Sequence, residues 1–514
     1  MTQEAPSTEA SRQYSRDLTG TTRQAGLVFA TRVGGYVLAF GGQAMFARLL
    51  GADAFGLFTL GMTVTAVAAL LAVFGMSTGL PRYLGELLAR GDRASAASLS
   101  RAAMGVSGLA AVVVGGLIAV FREPLAVHVL KEAALAPVLP WFAGMVVLQT
   151  AGNTLQGLLQ GVKQPSVAFF AREITQRGVQ FGAFLVLYLA GLEFAGILIA
   201  TVLALAASSA SMMWWLRRRT RWLLSEVGPV EPGVRSSFLK FSGGMFFVAL
   251  AMFLTEHVNK LLLGFFLDAK EVGLYAIAFS VASLCVFFLQ SFNAIFSVKI
   301  AELFHSEQHD HLRQMYATVT RWVMTLTLPL MLWIVVFAED ILSMFGDDFV
   351  AAAMVLRLLA IGQFVNTSAG PCGFLLVMTK YQRLEMVNGV VIAVMNVALN
   401  VTLIPVMGIE GAAVAGMSAL CGINLIRLAQ VRWRLKMHPY TWAYLKPLSS
   451  GLVVAVVLYG CLQLDLGPWG VALGGVLGYG TMLGMLWLLR LEPDDSMIVD
   501  TFRSKLSRVL KRSG

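Results

Sequence analysis

The sequence predicts an all-α polytopic membrane protein that crosses the bilayer about fourteen times, and three observations carry that expectation. Of 514 residues, 57% are hydrophobic and only 13% are charged, and the mean hydropathy is +0.73. These values lie far from the soluble average, on the side of a protein dissolved in lipid. Apolar stretches of about 20 residues, the length that crosses a hydrocarbon core as a helix, recur along the chain. Lys and Arg collect in alternate connections between those stretches, as a chain threading back and forth requires.

The first 23 residues are polar, contain Pro6, Arg12, Arg16, Asp17 and Arg23, and lack the short apolar core and cleavage site of a secretory signal. They predict a cytoplasmic tail. Spans then follow near 24–47, 55–77, 101–121, 137–160, 167–190 and 194–215, which make a first lobe over 24–215. A basic linker, 216–240, carries the run RRRTR. Spans near 241–266, 272–297, 318–338, 350–377, 384–405 and 409–430 make a second lobe over 241–432. Two more, 445–463 and 468–490, lie in the segment 433–490, and a basic tail, 491–514, closes the chain. The four cysteines, Cys285, Cys372, Cys421 and Cys461, all fall inside predicted spans without a close pair or a zinc-type spacing, so they read as small apolar core residues.

Charge sets the orientation. With the amino terminus in the cytoplasm, 32 of the 39 Lys and Arg fall in or beside cytoplasmic segments. Arg48, Arg122, Lys131 and Lys270 fall outside, and Arg32, Lys260 and Arg357 within spans. This count sets Arg172 and Arg177 at the cytoplasmic end of the fifth span. The asymmetry is a positive-inside signature for a cell (inner) membrane protein with both termini cytoplasmic. It also accounts for the net charge of +10, so RRRTR and RVLKR (508–512) need no nucleic acid.

A constant offset of 217 relates the two lobes. It takes Arg23 to Lys240, FGLF (55–58) to VGLY (272–275), Arg82 to Lys299, Lys163 to Lys380, GLE (191–193) to GIE (408–410) and Arg217 to Arg434. The positive-inside rule alone would not hold one offset through six spans or match glycines of outer loops. An internal duplication does. With six spans per unit, both copies enter the membrane from the same side, which predicts two parallel six-helix lobes plus two C-terminal helices.

Three stretches carry a family resemblance: ARLLGADAFGLFTLG after the first span, LLLGFFLDAKEVGLYAIA after the seventh, and LIPVMGIEGAAVAGMSAL between the eleventh and twelfth. With PRYLGELLARGDRASAASLSR after the second span, they resemble the polysaccharide transport and oligosaccharide flippase branch of the multidrug/oligosaccharidyl-lipid/polysaccharide exporter superfamily. The resemblance runs over residues 20–490 and rests on loop glycines and helix-end prolines. It implies a transporter, not an enzyme, that needs no cofactor. The implied cargo is a polyprenyl-diphosphate-linked oligosaccharide moved from the cytoplasmic to the outer leaflet through a cleft between the lobes. Its implied partners are that glycan, membrane lipids, and the polymerase and glycosyltransferases that act before and after it.

Ionisable groups inside spans are costly, about 2.5 to 3.5 kcal/mol each at a helix centre, and so mark the site. The seventh span holds FLTEHVNKLLLGFF (253–266). At 1.5 Å per residue, Glu256 lies about 23 Å and Lys260 about 29 Å from its start at Phe241. They share a face, with His257 and Asn259 beside them. The resembling flippases carry an acid immediately before the Arg or Lys; here that position is Asn259 and the acid is one turn earlier. Arg32 lies about 13 Å into the first span, and Arg357 near the start of the tenth. Three cations against one anion suit an anionic headgroup, so Arg32, Lys260, Arg357 and Asn259 are candidate diphosphate contacts, with Glu256 and His257 candidates for ion coupling. For each there is a structural alternative: an intrahelical Glu256–Lys260 pair, a snorkelling Arg32, an interfacial Arg357.

The fourth span carries Gln149, Asn153, Gln156 and Gln160 at spacings of three to four, one stripe of amides able to bind sugar hydroxyls or to tie helices together. Asn366, Asn388, Asn396, Asn400 and Asn424 leave the same two readings open. HSEQHDH (305–311) has two histidines at i, i+4 in a loop, and no Walker sequence is present. Two other functions compete with the flippase: a cation-coupled drug exporter of the same superfamily, with Glu256 as coupling acid, and a membrane glycan polymerase or ligase. The short outer loops, without a cluster of acids and bases, disfavour the last.

Overall fold

The computed structural model describes residues 8–226, 228, 232–464 and 467–489. Among them there is no strand, and ten helical segments are long and apolar enough to cross a membrane. In chain order the helices used below are α1 Thr8–Val73, α2 Met76–Ala89, α3 Arg93–Val120, α4 Leu139–Gly161, α5 Pro165–Phe170, α6 Arg177–Leu189 and α7 Glu193–Arg219. They continue with α8 Pro232–Phe266, α9 Ala269–Ala282, α10 Phe287–His305, α11 His309–Val336, α12 Ala353–Ser368, α13 Cys372–Met378, α14 Gln382–Leu435, α15 Leu445–Gln463 and α16 Pro468–Leu488. Helices dominate because lipid offers no partner for a bare N–H or C=O, and a helix satisfies these groups within itself.

The two longest helices, α1 and α14, are each broken at a glycine with positive φ. In α1 the break is Gly51 (φ 76°), and in α14 it is Gly408 (φ 60°). Gly408 and Gly191 (φ 82°) are 217 residues apart, so the two GLE/GIE turns of the repeat share a left-handed backbone. Between α5 and α6 the chain runs through a π-helical turn, Ala171–Gln176. Such turns are rare, and their looser winding is common at functional sites.

The described residues divide into two compact units, one of those up to 253 with 268–270, the other of 254–267 with those from 271 onward. In the first, α2, α3, α4, α7 and the start of α8 share a core that includes Leu80, Leu84, Leu99, Leu158, Met212 and Phe238. In the second, Phe296, Ile300, Tyr316, Val323, Leu375 and Val431 bring α10, α11, α13 and α14 together. Trp333 and Tyr479 tie α16 to α11 by donating to the carbonyls of Val471 (2.8 Å) and Leu326 (2.9 Å). Outward-facing Leu109, Val120, Leu452 and Val476 are exposed, as expected of side chains whose solvent is lipid. Lipid tails are as apolar as leucine, so association in the membrane rests on close packing and hydrogen bonds more than on water exclusion.

Outside the membrane, α3 begins at Asp92, whose Oδ1 accepts from the backbone N–H of Ser95 (3.0 Å). The Ser95 side chain first, and this backbone hydrogen bond after it, hold the Asp92 carboxyl below its usual range. Its contribution to stability is therefore present above the ordinary carboxylate value and is lost as pH falls through the lowered one.

Packing of α2 against α8 rests on Gly75. Its φ is 72°, and a Cβ there would meet the Ser242 carbonyl oxygen at 2.1 Å and the Phe246 nitrogen at 2.7 Å. Gly91 has nearly the same φ, 77°, and open space around it. Gly91→Ala is expected to cost about 1 kcal/mol from backbone strain alone, and Gly75→Ala about 2 to 4 kcal/mol, since overpacking adds to it. Thermal unfolding of the two purified variants checks the difference; equal losses would mean that the contact with α8 contributes nothing.

Candidate functional site

In the first unit the amide stripe of α4 lines a polar cavity of about 360 Å³, with Asn153, Gln156 and Gln160 on one side and Ser77, Thr78 and Pro81 of α2 on the other. Gly157 allows the two helices to approach: a Cβ there would sit 2.6 Å from the Ser77 carbonyl oxygen. Gln149, a turn before Asn153, is half-buried and does not line the cavity.

A cation completes this cluster. Arg172, in the π-helical turn, donates through Nη1 to Asn153 Oδ1 (2.6 Å) and Gln156 Oε1 (3.0 Å). The positive-inside count set Arg172 with Arg177 at a helix end, but only Arg177 pairs within its own helix, with Glu173 at 2.9 Å. Arg172 instead turns to the amides of α4. With both amide oxygens accepting from the guanidinium, the NH₂ groups of Asn153 and Gln156 are the ends left to donate. The arrangement therefore offers donors to hydroxyl or phosphate oxygens and positive charge close behind them.

In the second unit, Asn259 of α8 is buried in an amide ladder. It donates to the Tyr275 hydroxyl (2.5 Å) and accepts from Asn400 Nδ2 (3.0 Å), which also donates to the carbonyl and side-chain oxygens of Asn396. Lys260 follows directly, with Nζ 5.8 Å from the centroid of Phe279, whose ring stacks on Tyr275. His257 lies one turn earlier and is half-buried. The structure thus sets Lys260 on an aromatic face backed by a hydrogen-bonded chain, a geometry that holds an ammonium group electrostatically. The side chains of Glu256 and Arg32 lie outside the described residues.

Arg357 is not part of the second unit's amide ladder. Its Nη2 pairs with Glu339 (3.0 Å) and its Nε donates to the Val335 carbonyl (3.2 Å), so it joins α12 to the end of α11 near a half-exposed surface. The remaining asparagines cross-link helices of the second unit. Asn388 and Gln430 exchange hydrogen bonds (2.7 and 2.9 Å) beside the Glu385–Arg427 pair, and Asn424 donates to Asn366 (2.9 Å). His305 and His309 flank the ring of Phe304. The cysteines are free, three of them buried.

The sequence singles out the stripe and Asn259 as polar positions within spans, but it gives no sign of the hydrogen bonds that Arg172 and Tyr275 make. A hydropathy reading treats Tyr275 as one more apolar residue in VGLY, and its polar end is visible only once α9 is packed on α8. Removing Asn400 leaves Asn259 and Asn396 without their shared donor. Asn400→Leu is accordingly expected to lower stability by about 1 to 2 kcal/mol, whereas Gln149→Ala stays within about 0.5 kcal/mol of wild type. Thermal unfolding in detergent measures both, and an unchanged Asn400→Leu variant would deny the ladder any structural role.

Comparison with known proteins bears on the fold and the family. A family model of polysaccharide biosynthesis proteins matches residues 45–354. Among relatives, the probable low-salt glycan biosynthesis flippase Agl15 of Haloferax volcanii is 24% identical over 442 residues, which is 84% of this chain and 88% of that protein. Among solved structures, lipid II flippase MurJ in an inward closed conformation matches with a TM-score of 0.70 at 16% identity, over 90% of this chain and all of that one. An inward-facing multidrug resistance MATE transporter of the multidrug/oligosaccharidyl-lipid/polysaccharide superfamily matches with a TM-score of 0.65 at 14% identity, over 78% and 94%. These likenesses give the fold of that superfamily, and the family match, spanning more than half of the sequence, fixes membership: the chain belongs to the polysaccharide biosynthesis protein family.

Proposed function

We propose that the protein is a flippase for a polyprenyl-diphosphate-linked oligosaccharide, moving it from the cytoplasmic to the outer leaflet of the cell membrane by alternating access. The observation that carries this reading is the Arg172–Asn153–Gln156 cluster at a polar cavity inside an otherwise apolar unit. A lipid-linked sugar has two demands inside a membrane: its hydroxyls need hydrogen-bond partners and its diphosphate needs positive charge. Amides backed by a guanidinium supply both. Lys260, on the aromatic face in the other unit, is a second cation for the diphosphate. Asn259 holds its helix in place through Tyr275 and Asn400, while Arg32, Glu256 and His257 remain assigned to headgroup contact and ion coupling. The relatives add weight, since the matched Haloferax protein is named a probable flippase.

In this reading the sugar repeat is made on the cytoplasmic face and used on the outer one, so glycosyltransferases precede the flippase and a polymerase follows it. Binding is electrostatic and reset draws on an ion gradient or the membrane potential, with no nucleotide. A drug exporter shares the fold, but a cationic drug would meet Arg172 and Lys260 as like charges.

Deleting the gene is expected to trap lipid-linked oligosaccharide in the cytoplasmic leaflet, measured by leaflet-resolved labelling; accumulation in the outer leaflet would remove flipping as the missing step. Arg172→Ala and Lys260→Ala should each lower glycan export by at least about tenfold, the value of one charge-assisted hydrogen bond lost, with the protein still present in the membrane. Arg357→Ala should leave export near wild type, because its partner is Glu339. Normal export in both of the first two variants would remove the site assignment.

A further inference from the structure

The polar cavity of the first unit has a proline in its wall. Pro81 lies inside α2. In an unbroken α-helix the N–H of residue 81 would donate to the carbonyl of Ser77, but proline has no N–H and its ring presses against that carbonyl. The Ser77 carbonyl is thereby left without its helical donor. It points towards α4, where a Cβ on Gly157 would sit 2.6 Å from the oxygen and 3.2 Å from the carbon. Ser77, Pro81 and Gly157 all line the cavity, so its wall carries a backbone acceptor that the α-helical pattern does not use.

The facing wall supplies donors, and their orientation is fixed. A guanidinium can only donate, so the ends of Asn153 and Gln156 that meet Arg172 Nη1, at 2.6 and 3.0 Å, are their oxygens. Their NH₂ groups are the ends left for the cavity, which Arg172 itself does not line. Gln160, about one turn further along α4, lines the same space and offers both a donor and an acceptor. A carbonyl on one side and NH₂ groups on the other match a hydroxyl, which donates and accepts at once. They do not match a phosphate, whose oxygens accept only and would face the Ser77 carbonyl as like partial charges. Size points the same way, since 360 Å³ is near the low end of ligand pockets, about 300 to 1,000 Å³, and leaves no room for a chain of sugars. We infer that the cavity holds a single sugar ring of the cargo and that Pro81 is a specificity-determining residue, because it frees the Ser77 carbonyl to accept from a ring hydroxyl. The diphosphate then stays outside the cavity. Which molecule carries the ring rests on the flippase reading, whereas the hydroxyl site rests on the wall itself.

Native mass spectrometry of the purified full chain tests this with three probes: polyprenyl-diphosphate glucose, polyprenyl-diphosphate galactose and bare polyprenyl diphosphate. At least one hexose-bearing probe is expected to bind about tenfold more tightly than the bare one, as two added hydrogen bonds would give. Pro81→Ala returns an N–H to the Ser77 carbonyl without filling the cavity. It is expected to weaken the preferred hexose-bearing probe about fivefold and to leave the bare one unchanged. Its unfolding temperature should stay the same or rise, since alanine suits a helix interior better than proline. Gln160→Ala, which leaves α2 untouched, should lower the same preference. A hexose preference that survives both substitutions, or equal binding of all three probes, would overturn the single-ring site and leave the flippase reading standing. Binding of none of the probes would overturn the flippase reading itself. A lower unfolding temperature for Pro81→Ala would give the proline a structural role in place of this one.

Discussion

A polar group on a membrane-spanning helix has little water around it: what lipid cannot satisfy falls to another part of the chain. Asn259 illustrates the rule. It is buried, and both ends of its amide are used, one on Tyr275 and the other on Asn400. Arg172 illustrates it differently, since its charge would be costly against lipid and is met by two amide oxygens from a neighbouring helix. In each case the same interaction that makes burial tolerable also holds two helices in register. Stability and site construction are thus one problem here, solved by the same hydrogen bonds.

The two units solve it at different places. Under the offset of 217, Arg172, Asn153 and Gln156 correspond to Gly389, Gly370 and Gly373, while Asn259, Asn396 and Asn400 correspond to Gly42, Val179 and Ala183. Each cluster has glycine or a small apolar residue as its counterpart. A duplicated fold has therefore been given two non-equivalent interiors, one with a guanidinium beside a cavity and the other with an amide ladder beside an ammonium group.

The all-helical fold was legible because hydropathy and charge are long-range averages: a span of about 20 residues tolerates several exceptions without losing its signal. The amide stripe of α4 was legible for a related reason, its period matching the helix. Pairings were less so. Arg172 reads as a helix-end cation because Pro165 begins the helix only seven residues before it, and nothing local reveals that α4 will present two carbonyl oxygens there. Tyr275 is hidden for the opposite reason, as its ring satisfies the hydrophobic pattern and its hydroxyl becomes visible only across a helix interface. Arg357 reads as a candidate for the site on burial alone, and Glu339, eighteen residues away, gives it a different employment.

The π-helical turn at 171–176 has a consequence for how this helix counts its residues. Ala168 and Phe184, both buried, are sixteen residues apart, which in an unbroken α-helix would turn them about 160° from each other. A π turn takes up about one extra residue, or roughly 100°, and brings the pair back to within about 60°. Phe184 can then meet Phe46 of α1 edge-on at 5.0 Å while Arg172 faces α4. The phase of the helix, and with it the identity of every side chain beyond the turn that faces inward, is set by chain length within six residues. In this segment the number of residues is under tighter physical constraint than their identity.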